Sequence, residues 1–126
     1  MERFLWVCFA GAVGTGARYL IGSWALSRFG HGFPFGTLIV NLVGCLLMGV
    51  VVELALRGSL ASADLRTILT TGFLGGLTTY SAFNQETARL FRDGTSPLAL
   101  ANVAVTVLGC LLATWLGTWI VGRVSN

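Results

Sequence analysis

Four apolar stretches divide the chain, at residues 4–27, 36–56, 64–91 and 97–122. Each is close to the roughly 20 residues a helix needs to cross about 30 Å of hydrocarbon. The turns between them are short. Ser62 is placed to cap the third stretch with Asp64 in its first turn, and Ser96-Pro97 reads as a cap followed by a first-position proline. Pro34 suits the first turn of the second stretch. The third stretch is uneven. Its first half, LRTILTTGF, is mostly apolar, whereas TTYSAFNQETARLF would be costly facing lipid. Backbone amides in hydrocarbon must be satisfied within the protein, so irregular backbone at membrane depth survives only when buried or lining a wet cavity. The Gly75-Gly76 pair followed by Thr78-Thr79, near the middle of the span, therefore predicts a break whose freed carbonyls can hold a cation. The pattern predicts an all-α membrane protein, one domain over residues 1–126, with four transmembrane helices and the third broken at mid-membrane.

Composition sharpens this. Of 126 residues, 55% are apolar and 10% charged, against about 25% charged in an ordinary soluble domain. Nothing remains for a soluble domain. So small a bundle has little interior, and any pore or site calls for a second copy. The amino-terminal stretch is too long, and its charged region too slight, for a cleavable signal peptide. No two basic residues are adjacent in the net charge of +3, so a nucleic-acid footprint is absent. With four spans, Arg3, Arg57, Arg66 and Arg123 fall on one side of the bilayer, and Arg28, Arg89 and Arg92 on the other. Positive charge normally concentrates in cytoplasmic loops and sets orientation. Four against three is almost no bias, which predicts insertion both ways round and an antiparallel, dual-topology homodimer.

A few positions inside the spans carry candidate chemistry. Arg18 sits within the first, where a charge costs about 2.5–3.5 kcal/mol on insertion scales. It either braces a neighbouring helix end or draws an anion to a vestibule. Asn41 is the one strongly polar residue of the second span before Glu53; it is an interhelical hydrogen bond or a pair of donors for an anion. Asn102, Thr106 and Cys110 recur every four residues and share a face of the fourth helix. Gly109, Ala113 and Gly117 form a neighbouring stripe fit for helix contact, as do Gly72 and Gly76 in the third span. Trp6 and Trp24 read as interfacial anchors, and His31 as a surface residue. Cys8, Cys45 and Cys110 lack metal-ligand spacing and read as small hydrophobes filling packing gaps.

Three motifs in register, GAVGTGARY at residues 11–19, FPFGTLIVNLVG at 33–44 and GFLGGLTTYSAFNQET at 72–87, resemble the small fluoride channels known as Fluc or CrcB. With the four-span layout, the resemblance covers nearly the whole chain. It implies a dual-topology dimer in the inner (plasma) membrane. Fluoride would pass down its electrochemical gradient out of the cytoplasm, relieving toxicity. It also implies a central sodium ion that is not transported, held by the backbone carbonyls of Gly75 and Thr78. Two such oxygens from each inverted subunit would give four around a two-fold axis in the membrane plane. The family's pore aromatics correspond to Tyr80 and Phe83, three apart and so on one helix face. Their ring edges carry the positive end of the quadrupole and can hold a small anion without fixed charge. Tyr80 departs from the family's usual Phe. Asn41 corresponds to the pore-mouth asparagine, and Asn102 and Thr106 to a polar track on the fourth helix, weakened where Cys110 replaces a small polar residue. Thr79 and Ser81 would be hydrogen-bond partners beside the pore. Glu86 and Arg89 form either a structural ion pair or part of the anion exit.

Other classes fit less well. A small dual-topology multidrug exporter needs an intramembrane carboxylate in its first helix, and no acidic residue lies between Arg3 and Glu53. A purely structural subunit leaves the polar half of the third span unexplained. An enzyme would need a nucleophile with its base, a metal cluster or a phosphate loop, and the sequence offers none.

Overall fold

The computed structural model describes residues 1–60 and 62–124. The chain runs through α1 (Glu2–Phe29), α2 (Phe35–Leu56), α3 (Ala63–Thr67), a widened π-helical stretch (Ile68–Leu74), α4 (Gly75–Leu77), α5 (Tyr80–Arg92) and α6 (Ser96–Val124). No strand occurs among the described residues. Helices α1, α2 and α6 are each long and apolar enough to cross a membrane. The third predicted span is instead the composite from α3 to α5, and it is broken as anticipated.

The break falls on Thr78 and Thr79, not on the glycines. Thr78 (φ −85°, ψ 156°) and Thr79 (φ −152°, ψ 115°) are extended, while Gly75 (φ −63°, ψ −35°) is helical. β-branched threonine is comfortable in extended backbone. The glycines serve packing. A β-carbon on Gly76 would run into the Gly11 carbonyl, and one on Gly72 would lie 2.9 Å from the Ala10 β-carbon. On α1, Gly14 likewise leaves room for the Phe73 carbonyl. The π-helical turns before the break have no counterpart in the hydrophobic pattern.

Contacts settle the direction of each element. Leu42 meets Gly109, Gly49 meets Thr114 and Leu46 meets Gly117, so α2 and α6 run parallel. Val7 meets Gly72 and Gly11 meets Gly76, so α1 runs parallel to the composite segment. Asn41 pairs with Thr79 and Thr37 with Glu86, so α5 opposes α2. Two parallel helices joined through one intervening segment require that segment to carry the chain back across the bundle. The composite is thus a full traverse, and the bundle runs up, down, up, down. Gly109 and Gly117 of the predicted stripe face α2, with a β-carbon on Gly117 excluded by the Leu46 carbonyl.

The interior is small, centred on Val40, Leu74 and Leu77. Outward faces are strongly apolar: Phe4, Leu5, Trp6 and Phe9 of α1, and Leu108, Leu111, Leu112 and Trp115 of α6, are each more than half exposed. Lipid is the solvent such faces require. Ionic contacts sit at the ends, Arg3 to Asp64 at 3.1 Å and Arg57 to Glu53 at 2.8 Å. Ser62 caps α3 by accepting from the Leu65 amide at 3.2 Å, as its position predicts. Helix α6 starts one residue early. Thr95 accepts the first amides, from Leu98 and Ala99, and Ser96 is already helical. Thr95 can turn the chain because its hydroxyl donates to the Leu90 carbonyl at 2.8 Å.

Close approach at glycine makes a direct prediction. Gly76→Val is expected to destabilise the bundle by about 1–3 kcal/mol or prevent folding, as overpacking does. Gly32→Ala, in open space, is expected to melt like the parent in detergent. Equal melting of the two variants would contradict the packing.

Candidate functional site: a polar lane at the broken helix

The break is bridged by one side chain. Asn41 is 93% buried, and its amide spans both backbone groups of Thr79. Its Oδ1 accepts from the Thr79 amide at 2.8 Å, while its Nδ2 donates to the Thr79 carbonyl at 3.1 Å. Thr79 in turn caps α5, its hydroxyl accepting from the Ala82 amide at 3.2 Å. These bonds divert two amides from their helical destinations. The Thr79 amide would otherwise reach the Gly75 carbonyl, and the Ala82 amide the Thr78 carbonyl, each four residues back. Both oxygens are thereby released from the helix ladder. Gly75 lies on the exposed face of the subunit and Thr78 is half-buried. The side chain of Thr78 turns back to donate to the Leu74 carbonyl at 2.9 Å, and it occupies the space that Gly44 leaves on α2.

Around the bridge lie three hollows that share walls. The innermost, of about 330 Å³, is lined by Asn41, Thr78, Thr79, Tyr80, Phe83, Thr106, Cys45, Cys110 and Thr114, among others. A second, of about 210 Å³, lies between Arg18, Thr37, Val40, Thr79 and Ala82. The outermost, of about 280 Å³, is bounded by His31, Pro34, Thr37, Glu86 and Arg89. Thr79 belongs to the first and second, and Thr37 to the second and third. The result is a lane with polar groups at intervals from the end of the bundle to its middle, its inner hollow otherwise walled by apolar groups such as Met48, Phe83 and Val107.

Most of the residues singled out from sequence meet here. Six of them line the inner hollow or the break: Asn41, Thr78, Thr79, Tyr80, Phe83 and Thr106. Phe83 is buried, and its ring centroid lies 5.8 Å from that of Tyr80, which is 78% exposed. Ser81 is exposed, its hydroxyl 3.2 Å from that of Thr79. Asn102 lies behind the inner hollow as the hub of a buried relay. The Thr106 hydroxyl donates to Asn102 Oδ1 at 3.4 Å, Asn102 Nδ2 donates to Thr87 at 2.9 Å, and Thr87 donates to the Phe83 carbonyl at 2.7 Å. Arg18 is half-buried on the middle hollow and makes no ion pair among the described residues. Gly75 lines none of the three hollows.

Two sequence readings change. Glu86 and Arg89 form no ion pair among the described residues. Glu86 Oε1 instead accepts from the Thr37 hydroxyl at 2.9 Å, and Arg89 Nη2 donates to the His31 carbonyl at 3.4 Å. Glu86 Oε2 and Arg89 Nε are buried without a partner, both on the outer hollow. The helical offset of three places the two side chains on one face, but Thr37 and His31 claim their near atoms first. The cysteine reading also divides. Cys8 is exposed, and Cys45 and Cys110 are half-buried on the wall of a hollow. Neither group fills a gap.

Thr37 and Thr87 were missed. Both carry a sequence signal: Thr37 lies four residues before Asn41 on one face of an apolar helix, and Thr87 lies four after Phe83. Thr114 continues the series 102, 106, 110 by one more turn and donates to the Cys45 carbonyl at 3.2 Å.

An apolar helical bundle with an interrupted traverse and an internal lane of mostly uncharged donors defines an integral membrane protein. Residues 5–118 match the model of a family described as CrcB-like protein, Camphor Resistance (CrcB). The chain belongs to that family. It is 48% identical over 117 residues to the fluoride-specific ion channel FluC of Geotalea uraniireducens, covering 93% of this chain and 94% of the relative. To the protein of the same name from Sorangium cellulosum it is 47% identical over 123 residues, 98% and 97% of the two chains. To that from Geobacter metallireducens it is 50% identical over 111 residues, 88% and 90%.

Replacing the bridge tests the site. Asn41→Leu strands two buried backbone groups at about 1–3 kcal/mol each, so a marked drop in detergent melting temperature is expected. An Asn41→Leu protein as stable as the parent would show that the break needs no bridge.

Proposed function

We propose that this protein is a fluoride-selective channel subunit of the inner membrane, not an enzyme. In this reading two antiparallel copies let fluoride leave the cytoplasm passively and so relieve its toxicity. The observation that carries the proposal is the joint one of sequence and geometry. Relatives at 47–50% identity over 88–98% of the chain are named fluoride-specific ion channels, and Arg18, Asn41, Thr79, Tyr80, Phe83 and Thr106 line adjoining hollows.

The chemistry of the lane suits a small, strongly hydrated anion. Arg18 at the middle hollow attracts anions with no ion-pair partner among the described residues, and Arg89 does so at the outer hollow against the opposing charge of Glu86 on the same wall. Deeper in, fixed charge gives way to hydroxyls, to the second N–H of Asn41 and to the edge of Phe83. Donors and ring edges replace water piecemeal, and each is weak enough to release the ion to the next. A larger halide fits the narrow donor spacing less well. Tyr80 adds a hydroxyl to an aromatic position at the same hollow.

A second copy is supported by what one subunit leaves exposed. Tyr80, Ser81, Asn84 and Gln85 of α5 face outward although lipid cannot satisfy them. Covering this face with an inverted copy would remove the mismatch and draw the two breaks together. The near-equal arginine count on the two sides supports inversion. The sodium reading is supported by the released carbonyls. Gly75 and Thr78 offer hard oxygen ligands at the break, with Gly75 on the exposed side, where a symmetry axis can reach it. A cation bound there would neutralise four converging carbonyl dipoles and lock the two breaks together.

Three measurements test this. Proteoliposomes holding the protein are expected to release fluoride and retain chloride; equal release of both would remove the selectivity. Phe83→Ile is expected to slow fluoride efflux by roughly tenfold or more, about 1.4 kcal/mol on the barrier, with folding intact. Exchanging sodium for a bulky organic cation is expected to weaken the dimer in detergent, and a dimer indifferent to sodium would exclude the structural ion.

A further inference from the structure

We infer that Cys45 and Cys110 form a two-thiol site for a soft, thiophilic d10 cation such as Hg2+, on the wall of the innermost hollow. Neither cysteine is required by the polar lane, and neither packs into the core. Both are half-buried, and both line the same 330 Å³ hollow. They come from the two helices that run parallel and touch most tightly. Gly109, the residue before Cys110, lies so close to α2 that a β-carbon there would sit 2.8 Å from Leu42 Cδ2. One turn further on, Gly49 meets the Thr114 carbonyl, and the Thr114 hydroxyl donates to the Cys45 carbonyl at 3.2 Å. Contact on both sides of the pair places the two cysteines together on the α2–α6 seam, on the wall of one hollow.

The chemistry selects the ligand. Two sulfurs with no carboxylate or imidazole nearby suit ions that accept two soft donors, and thiolates favour soft cations over Mg2+ or Ca2+. No group of three or more His, Cys, Asp or Glu occurs among the described residues to offer a fuller coordination shell. Binding replaces two S–H bonds by two S–Hg bonds and releases two protons, with no change of oxidation state. The ion would sit one helical turn from Thr106 and in the same hollow as Phe83. Its effect on flux rests on the fluoride-channel reading; its capture does not.

The test uses the full-length protein with Cys8→Ser, which removes the exposed thiol and leaves the pair. One equivalent of Hg2+ per chain is expected to mask both remaining thiols from a maleimide, and to give the ultraviolet absorption of a mercury dithiolate. Adding Cys45→Ser or Cys110→Ser is expected to weaken capture about 100-fold, the loss of a second linked donor. In proteoliposomes the same Hg2+ is expected to slow fluoride efflux of the Cys8→Ser protein, reversed by a dithiol chelator. Unmasked thiols, or equal affinity in the single-thiol variants, would overturn the site. Tight capture with unchanged efflux would overturn its placement in the conduction path. If fluoride efflux is absent before Hg2+ is added, the channel reading fails while thiol masking still decides the site.

Discussion

A helix cannot simply stop inside a membrane, because each unmade backbone bond there costs several kcal/mol. This fold meets that constraint with the Asn41 amide, which lies against Thr79 as a strand neighbour would, one donor and one acceptor matched. Much else is tied to that pair of bonds. They hold α5 to α2, and they place the break on the threonines. They also divert the Thr79 amide from the Gly75 carbonyl, while the Thr79 hydroxyl diverts the Ala82 amide from that of Thr78. A residue in the second helix thus determines the character of the third.

The polar lane follows from the same arrangement. An extended Thr78-Thr79 step opens room that continuous helix would occupy, and the hollows on either side of Thr79 are its two faces. Charge declines inward along them, from Glu86 and Arg89 to Arg18 and then to hydroxyls, an amide and aromatic edges. Glu86 and Arg89 make no direct ion pair among the described residues, their near atoms bonded to Thr37 and His31. The far wall is tied together by the relay from Thr106 through Asn102 and Thr87 to the Phe83 carbonyl, which joins α6 to α5.

Small residues make so thin a bundle coherent. With only Val40, Leu74 and Leu77 at its centre, it relies on backbone approaching backbone at Gly14, Gly76, Gly49 and Gly117. The same thinness leaves a polar face of α5 exposed.

Span number, the broken third segment and the glycine stripes were legible in the sequence because each rests on local composition. Lipid enforces a length and an apolarity that a window of residues displays, and a Gly-Gly-Thr-Thr run at mid-span cannot be ordinary. The same local reading placed Asn41, Asn102 and Thr106 among the candidates, and the motif resemblance added Phe83. It could not decide between the glycines and the threonines as the point of fracture, since both tolerate a break; the packing of the glycines on α1 and the Asn41 bonds to Thr79 decided it together. It could not see that Asn41 would hold Thr79, that Glu86 would turn to Thr37 rather than Arg89, or that Thr87 would complete the relay. Those outcomes depend on which helices lie side by side, and a hydrogen bond between residues 38 or 49 positions apart leaves no mark in either local pattern.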